Sequence, residues 1–246
     1  MDYLPQNPAI LVSSVNMLLR DEEFDSLEAL CYAFNQEPEQ IKDYLFANDS
    51  CGAKTSSSSD RLVTTHDYER DMDILEELIH NDLRQYLLSV NEIDNRLPEC
   101  PDVEGKWEAI ANAYIPNGVR EFQHYPLASL GWMMYIGMAV AKMWDDDWQY
   151  YAAKEDLYVY LRDKRGYDAM DEYIRRDFLK LSPKDFTATE ELVSECASRV
   201  HNTLMHQDIE PGTKEAFLAY VACLHQLFLF GAAIQLKRMG YHMTRI

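Results

Sequence analysis

Between Tyr125 and Trp144 the chain reads YPLASLGWMMYIGMAVAKMW, and no charged residue occurs between Glu121 and Lys142. A helix over this stretch is apolar on nearly every side, so it must be covered all round and cannot lie half-exposed on a surface. Pro126 stands where a first-turn proline costs no hydrogen bond, and Gly137 with Ala141 gives the small-residue spacing that lets a second helix approach closely. The chain is therefore expected to be all-α, with a larger helical bundle built around this buried central helix.

A matching surface lies near the end of the chain. The run AFLAYVACLHQLFLFGAAIQ, from Ala216 to Gln235, carries Gly231, Ala232 and Ala233. Both runs, at 126–144 and 216–236, are long enough to raise the question of membrane spans. Against that, His225 and Gln226 fall in the middle of the second run, and Gln123, His124 and Ser129 accompany the first. Polar groups at mid-bilayer are costly, so a buried helix pair and no membrane is the expectation.

The formal net charge of −19 gives a surface that repels polyanions. It argues against nucleic acid and anionic membranes, and for a basic protein or cations as partners. Cys31, Cys51, Cys100, Cys196 and Cys223 are odd in number, widely spaced and without a CxxC pair. Neither a disulfide framework nor a structural zinc site is expected, and a reducing cytoplasm fits. The opening MDYLPQNPAI has an acid where a secretory signal would be basic, so export is not expected.

Asn7 with Pro8 reads as the cap and first turn of a helix through Arg20. Asp25 with Glu28 forms a capping-box pattern for a second helix, Ser26 to Phe34, which Asn35 closes; Pro38 opens a third, to about Asn48. Leu30, Phe34, Ile41 and Tyr44 then occupy the buried positions of a helix-turn-helix-like unit. Leu4, Pro5, Asn7 and Pro8, then Ser14, Val15, Asn16, Met17, Leu19, Arg20 and Asp21, then Ser26, Leu27, Glu28, Leu30 and Cys31 carry a resemblance. Through them the segment Leu4 to Asp49 resembles a short bacterial family known only as a domain of unknown function. The resemblance implies a compact helical module and brings no activity with it, and no family is recognised for 61–246.

The helix-turn-helix spacing does not make this module a DNA reader. The end that would enter a groove is Glu37, Pro38, Glu39 and Gln40, with Asp43 one turn on and Lys42 the only base before Lys54. Up to Ser50, Arg20 and Lys42 face ten acids, a net of −8. Phosphate contacts need cations that this face lacks. Glu37, Glu39, Gln40 and Asp43 are instead expected to form a docking surface for a basic protein.

Thr55 to Asp60, with four consecutive serines, marks a linker, so the expected layout is a module at 1–52, a linker at 53–60 and a bundle at 61–246. The bundle should hold about six to seven helices. They are expected at 67–91; over a segment capped by Asp102 and ended by Pro116, Asn117 and Gly118; over the central run; at 148–165; at 169–181; at 187–207, opened by a Thr187/Glu190 box; and at 213–239.

Chemistry is sparsely signalled. Glu77 and His80 have the Glu-x-x-His spacing of a carboxylate-bridged metal helix, but the pattern occurs once, and His80 with Glu76 and Arg84 reads as a charged, solvated face. Asp145, Asp146 and Asp147 oppose the dipole at a helix C-terminus, which is resolved if Asp146 or Asp147 caps a following helix. A lone histidine such as His225 in an apolar helix usually satisfies a core hydrogen bond. Convergence of His124, His201, His206 and His225 with Asp145 would make a site. The zone from Arg162 to Lys184 mixes bases, acids and tyrosines, as a solvated surface does.

No phosphate loop, GxSxG or HExxH pattern is present. No cofactor or metal is expected, with Glu77, His80, Asp145, His201, His206 and His225 as the ligand candidates should one exist. The reading is an acidic cytoplasmic protein of interaction or regulation without catalysis, homo-oligomerisation left open. Its rivals are a one-component DNA-binding regulator with a helical sensing or dimerisation domain, and a metal-dependent enzyme in the bundle.

Overall fold

The computed structural model describes residues 65–98 and 100–241, with side chains from residue 72 onward. The expected helix-turn-helix-like module, its docking residues Glu37, Glu39, Gln40 and Asp43, and the serine-rich linker lie outside the described residues. Backbone contacts divide the chain into two units. One takes in 65–75 and Asp208–Ala219, where the Thr213 hydroxyl accepts from the Ala216 amide at 3.2 Å to open the last helix. The other, Glu76–Gln207 with 220–241, is the helical body described next.

Among the described residues the structure is all-α, with eight α-helical segments and no strand. Helix α1, Thr65–Ser89, buries Ile79, Leu83 and Leu87, one turn apart on one stripe. It ends where Asn91 takes φ 59°, with the Glu92 amide donating to the Leu87 carbonyl at 2.9 Å, the left-handed stop that asparagine tolerates. Helix α2, Pro101–Glu104, is a single turn. Helix α3, Trp107–Phe122, runs straight through Pro116, Asn117 and Gly118, which the local reading takes as a stop. The override is tertiary: all three residues are buried, and a Cβ at Gly118 would fall 2.5 Å from both the Tyr114 ring and the Tyr220 hydroxyl.

Helix α4, Pro126–Ala152, is the central element. Leu130, Met133, Met134, Ile136, Met138, Ala139 and Val140 are all fully buried. It extends beyond the expected end at Trp144 and breaks its geometry at Asp147, where φ is −163° and ψ 79°. The Asp147 carboxylate accepts from the Tyr150 amide at 3.0 Å, so it caps the final turn and relieves the acid run of its conflict with the helix dipole. The single helix expected over 148–165 is thus split between the end of α4 and α5, Leu157–Arg162, which Asp156 caps through the Val159 amide at 2.9 Å.

The stretch expected as one helix over 169–181 is a chain of short turns: a 3-10 turn at Tyr167–Ala169, α6 at Met170–Tyr173, and a π turn at Ile174–Phe178. Burial of Arg175 there, 5% exposed, ties the irregular turns down; it pairs with Asp171 at 2.5 Å and lies 4.0 Å over the Phe186 ring. Helix α7, Pro183–Met205, starts four residues before the expected Thr187 because Ser182 caps it, accepting from the Asp185 amide at 3.2 Å. It buries Val193, Cys196, Ala197 and Val200 along α4.

Helix α8, Lys214–Arg238, is long and apolar enough to cross a membrane by length and composition, yet 72% of its most apolar window is buried within the protein. Its basic last turn fastens the loop after α1: the Lys237 ammonium donates to the Asn91 and Ile93 carbonyls at 2.9 and 3.0 Å, and Arg238 pairs with Glu92 at 3.0 Å. Cations at this end also suit the helix dipole.

Between α3, α4, α5 and α8 lies a buried hydroxyl cluster. The Ser129 hydroxyl donates to the Gly118 carbonyl at 2.7 Å and meets the Tyr220 hydroxyl at 2.7 Å, while Tyr114 donates to the Ser129 carbonyl at 2.5 Å. Alongside, Tyr158 donates to Asn117 at 2.7 Å and its ring meets Tyr114 edge-on at 5.3 Å. The interior is therefore polar at its centre, and nearly every hydroxyl there has a partner.

Candidate functional site

The residues singled out for chemistry fall in separate places. Glu77 is exposed on α1, whereas His80 is half-buried and turned toward α8, contrary to the solvated face expected for it. Its Nδ1 lies 3.1 Å from Gln226 Oε1 and its ring 5.1 Å from Phe230. The acid that shares this seam is Glu76, one helical turn before His80. Its carboxylate accepts from Gln226 Nε2 at 3.4 Å and stands 3.5 Å from His225 Nδ1. His225 lies against Trp107 of α3, ring centroids 4.8 Å apart. Glu76, His80, His225 and Gln226 therefore form one polar seam across α1 and α8.

The sequence carried a signal for this seam. Two polar residues in the middle of an apolar helix need partners, and the pair one turn apart on α1 supplies them. The Glu-x-x-His spacing points one residue away, to Glu77, because it is a metal-ligand pattern and not a helix-packing one.

The other candidates make local contacts. His201 lies 6.2 Å from the Phe122 ring, and His206 Nδ1 is 2.6 Å from the Asn202 carbonyl on the surface. Asp145 accepts from the Tyr241 hydroxyl at 2.8 Å, and Lys142 pairs with Asp146. The structure thus does not assemble His124, His201, His206 and His225 around Asp145. Among the described residues no group of three His, Cys, Asp or Glu side chains is placed to hold a metal ion together. Arginines of the Arg162 to Lys184 zone pair with its own acids: Arg165 with Asp177 at 2.9 Å and Arg176 with Glu172 at 2.8 Å.

Two concave features among the described residues bear on function. One is an open groove of about 650 Å³ between α1 and α7, lined among others by Leu78, Asp82, Glu195, Arg199 and His206. Leu78 is 47% exposed within it. Arg199 bridges Asp82 at 3.2 Å and Glu195 at 2.8 Å while its guanidinium lies 4.5 Å over Tyr86. The other is a smaller cavity of about 230 Å³ at the outer end of the polar seam, reached by His225 and Cys100.

Comparison with known proteins adds one positive finding. Residues 5–49 match the family model of a domain of unknown function, DUF4250, as the sequence reading of this segment expected. No curated protein and no solved structure matches the chain.

Proposed function

We propose that this chain is a non-enzymatic cytoplasmic protein of interaction or regulation, and that the groove between α1 and α7 is where its helical body receives a basic protein. The observation that carries this reading is an exposed apolar side chain, Leu78, set between the carboxylates of Asp82 and Glu195 in a groove of about 650 Å³. Glu77 and Glu191 add exposed acids to the same two helices. A lysine or arginine from a partner can lay its aliphatic stem on Leu78 and place its charge among these acids. Each carboxylate accepts several hydrogen bonds, so engagement with Arg199 leaves capacity for a second cation. The net charge of −19 would speed the encounter at low ionic strength. Glu37, Glu39, Gln40 and Asp43 of the N-terminal module belong to the same reading as a second acidic contact, and nucleic acid has no part in it.

The test is a photo-crosslinking residue placed at Ser198 inside the groove, with Lys154 as a control position, followed by mass spectrometry of the adducts. A discrete adduct with a basic protein at Ser198, lost when Asp82→Lys and Glu195→Lys are combined, is the expected result. Equal adducts from both positions would sink the groove. An adduct with the chain itself would replace the partner by a second copy. Tight low-salt DNA binding that Lys42→Ala abolishes would favour the DNA-regulator reading instead.

A further inference from the structure

The cavity at the end of the polar seam has the size, the mostly apolar walls and the few polar groups of a small-molecule site. Its volume of about 230 Å³ exceeds the ~150 Å³ at which an apolar cavity already takes up a benzene ring, and falls below the ~300 Å³ where drug-sized sites begin. One ring fits. Leu97, Val103, Leu229, Ala233 and Leu236 supply apolar walls, so an empty cavity has little to offer water.

His225 sets the polarity. Its ring is clamped against Trp107 at 4.8 Å, and Nδ1 faces the Glu76 carboxylate at 3.5 Å. A carboxylate beside one imidazole nitrogen keeps the proton there, which makes the other nitrogen an acceptor. His225 is also one of the residues lining the cavity. The acceptor therefore calls for a ligand with a hydroxyl proton to give. Glu104 at the rim and Glu76 behind the histidine disfavour an anion. We propose that this cavity binds a neutral one-ring aromatic alcohol, a phenol, with its hydroxyl donating to Nε2 of His225. This goes beyond the docking groove and does not depend on it.

Phenol itself is the probe, titrated into the full chain with benzene and benzoate as comparators. Saturable phenol binding is expected, at least tenfold tighter than benzene and with benzoate weaker still. His225→Phe keeps an aromatic ring on Trp107 but removes the acceptor, and should weaken phenol at least tenfold while leaving benzene unchanged. Ala233→Met fills the cavity and should abolish both. A readout on the unaltered protein guards against misfolded variants: in nitrogen-detected spectra of the histidines, the Nε2 signal of His225 should move on phenol addition and stay put with benzene. Absence of saturable phenol binding, phenol binding that survives Ala233→Met, equal affinity for benzoate, or a static His225 signal each overturns the proposal.

Discussion

Gly137 of α4 and Gly231 of α8 each rest on the other helix's main chain. A Cβ at Gly137 would strike the Phe228 carbonyl and lie 3.1 Å from the Ala232 nitrogen, and a Cβ at Gly231 would strike the Met134 carbonyl. The contact is reciprocal, so the two most apolar helices meet backbone to backbone with no side chain between them at this point.

Such a crossing has no room to give, because the obstructing atoms are main chain and not the flexible end of a side chain. Gly137→Ala should cost on the order of 1 to 3 kcal/mol through overpacking, although alanine is the better helix former, and Gly137→Leu should cost more. Gly231→Ala should behave alike. Urea denaturation of the purified variants measures this, and an unchanged midpoint for Gly137→Ala would show that the helices can separate freely.

The hydroxyl cluster predicts an order among conservative changes. Tyr158→Phe removes a donor from the buried Asn117 side chain, and Ser129→Ala removes a partner from both Gly118 and Tyr220; each should cost about 1 to 3 kcal/mol. The Tyr167 hydroxyl is also buried and has no hydrogen-bond partner. Tyr167→Phe should therefore be neutral or stabilising. Matched unfolding curves for the three variants check the ranking, and a Tyr167→Phe loss as large as that of Tyr158→Phe would contradict it.

Alkali should unfold the protein from its centre. Burial raises the phenols of Tyr114, Tyr135 and Tyr220 above the ordinary value of 10.0, because the low-dielectric interior disfavours a phenolate. Below pH 10 these tyrosines are neutral in both states and their contribution is complete. Above it the unfolded chain releases protons that the folded chain keeps, so stability falls as pH rises, by up to ~1.4 kcal/mol per pH unit for each tyrosine. Denaturation midpoints followed across pH 10, alongside tyrosinate absorbance, should show unfolding before these phenols ionise. Native-state titration of all sixteen tyrosines at the ordinary value would be inconsistent with this.

Arg175 should resist replacement by lysine. Its guanidinium lies 4.0 Å over the Phe186 ring and 5.1 Å from the Tyr135 ring while pairing with Asp171 at 2.5 Å and Glu190 at 3.4 Å. An ammonium preserves the charge and loses the planar stacking, so Arg175→Lys should cost on the order of 1 kcal/mol. Arg175→Met, which restores apolar contact with both rings, should be less damaging than Arg175→Ala. Thermal melts of the three variants decide the order.

Legibility in the sequence followed how far each signal reaches. The all-α class, the buried Tyr125 to Trp144 stretch and the close approach at Gly137 were readable because each rests on a periodic or compositional pattern within one helix. Pro116, Asn117 and Gly118 have the local meaning of a stop, whereas all three are buried within α3 and Gly118 fits under Tyr114 one turn earlier and under Tyr220 of α8. Ser182 and Thr187 both precede an acid at capping distance, and the cap that α7 uses is Ser182. The polar seam was half visible: His225 and Gln226 were conspicuous in an apolar helix, but nothing local to α1 says that Glu76 and not Glu77 turns toward them. The cavity beside His225 is assembled from the loop after α1, helix α2 and helix α8, so no single stretch announces it.

The break in α4 at Asp147 makes three identical letters into three unlike constraints. Position 147 needs a short side chain that can reach back to the Tyr150 amide, so in relatives of this chain it should drift among Asp, Asn, Ser and Thr but reject glutamate. Position 146 serves Lys142 one turn earlier, where the longer glutamate does as well. Position 145 answers to Tyr241, beyond the end of α8, and should change only when residue 241 does. An alignment column by column would then show a tolerant site, a charge-conserving site and a covarying site side by side, where a composition count records only an acidic run.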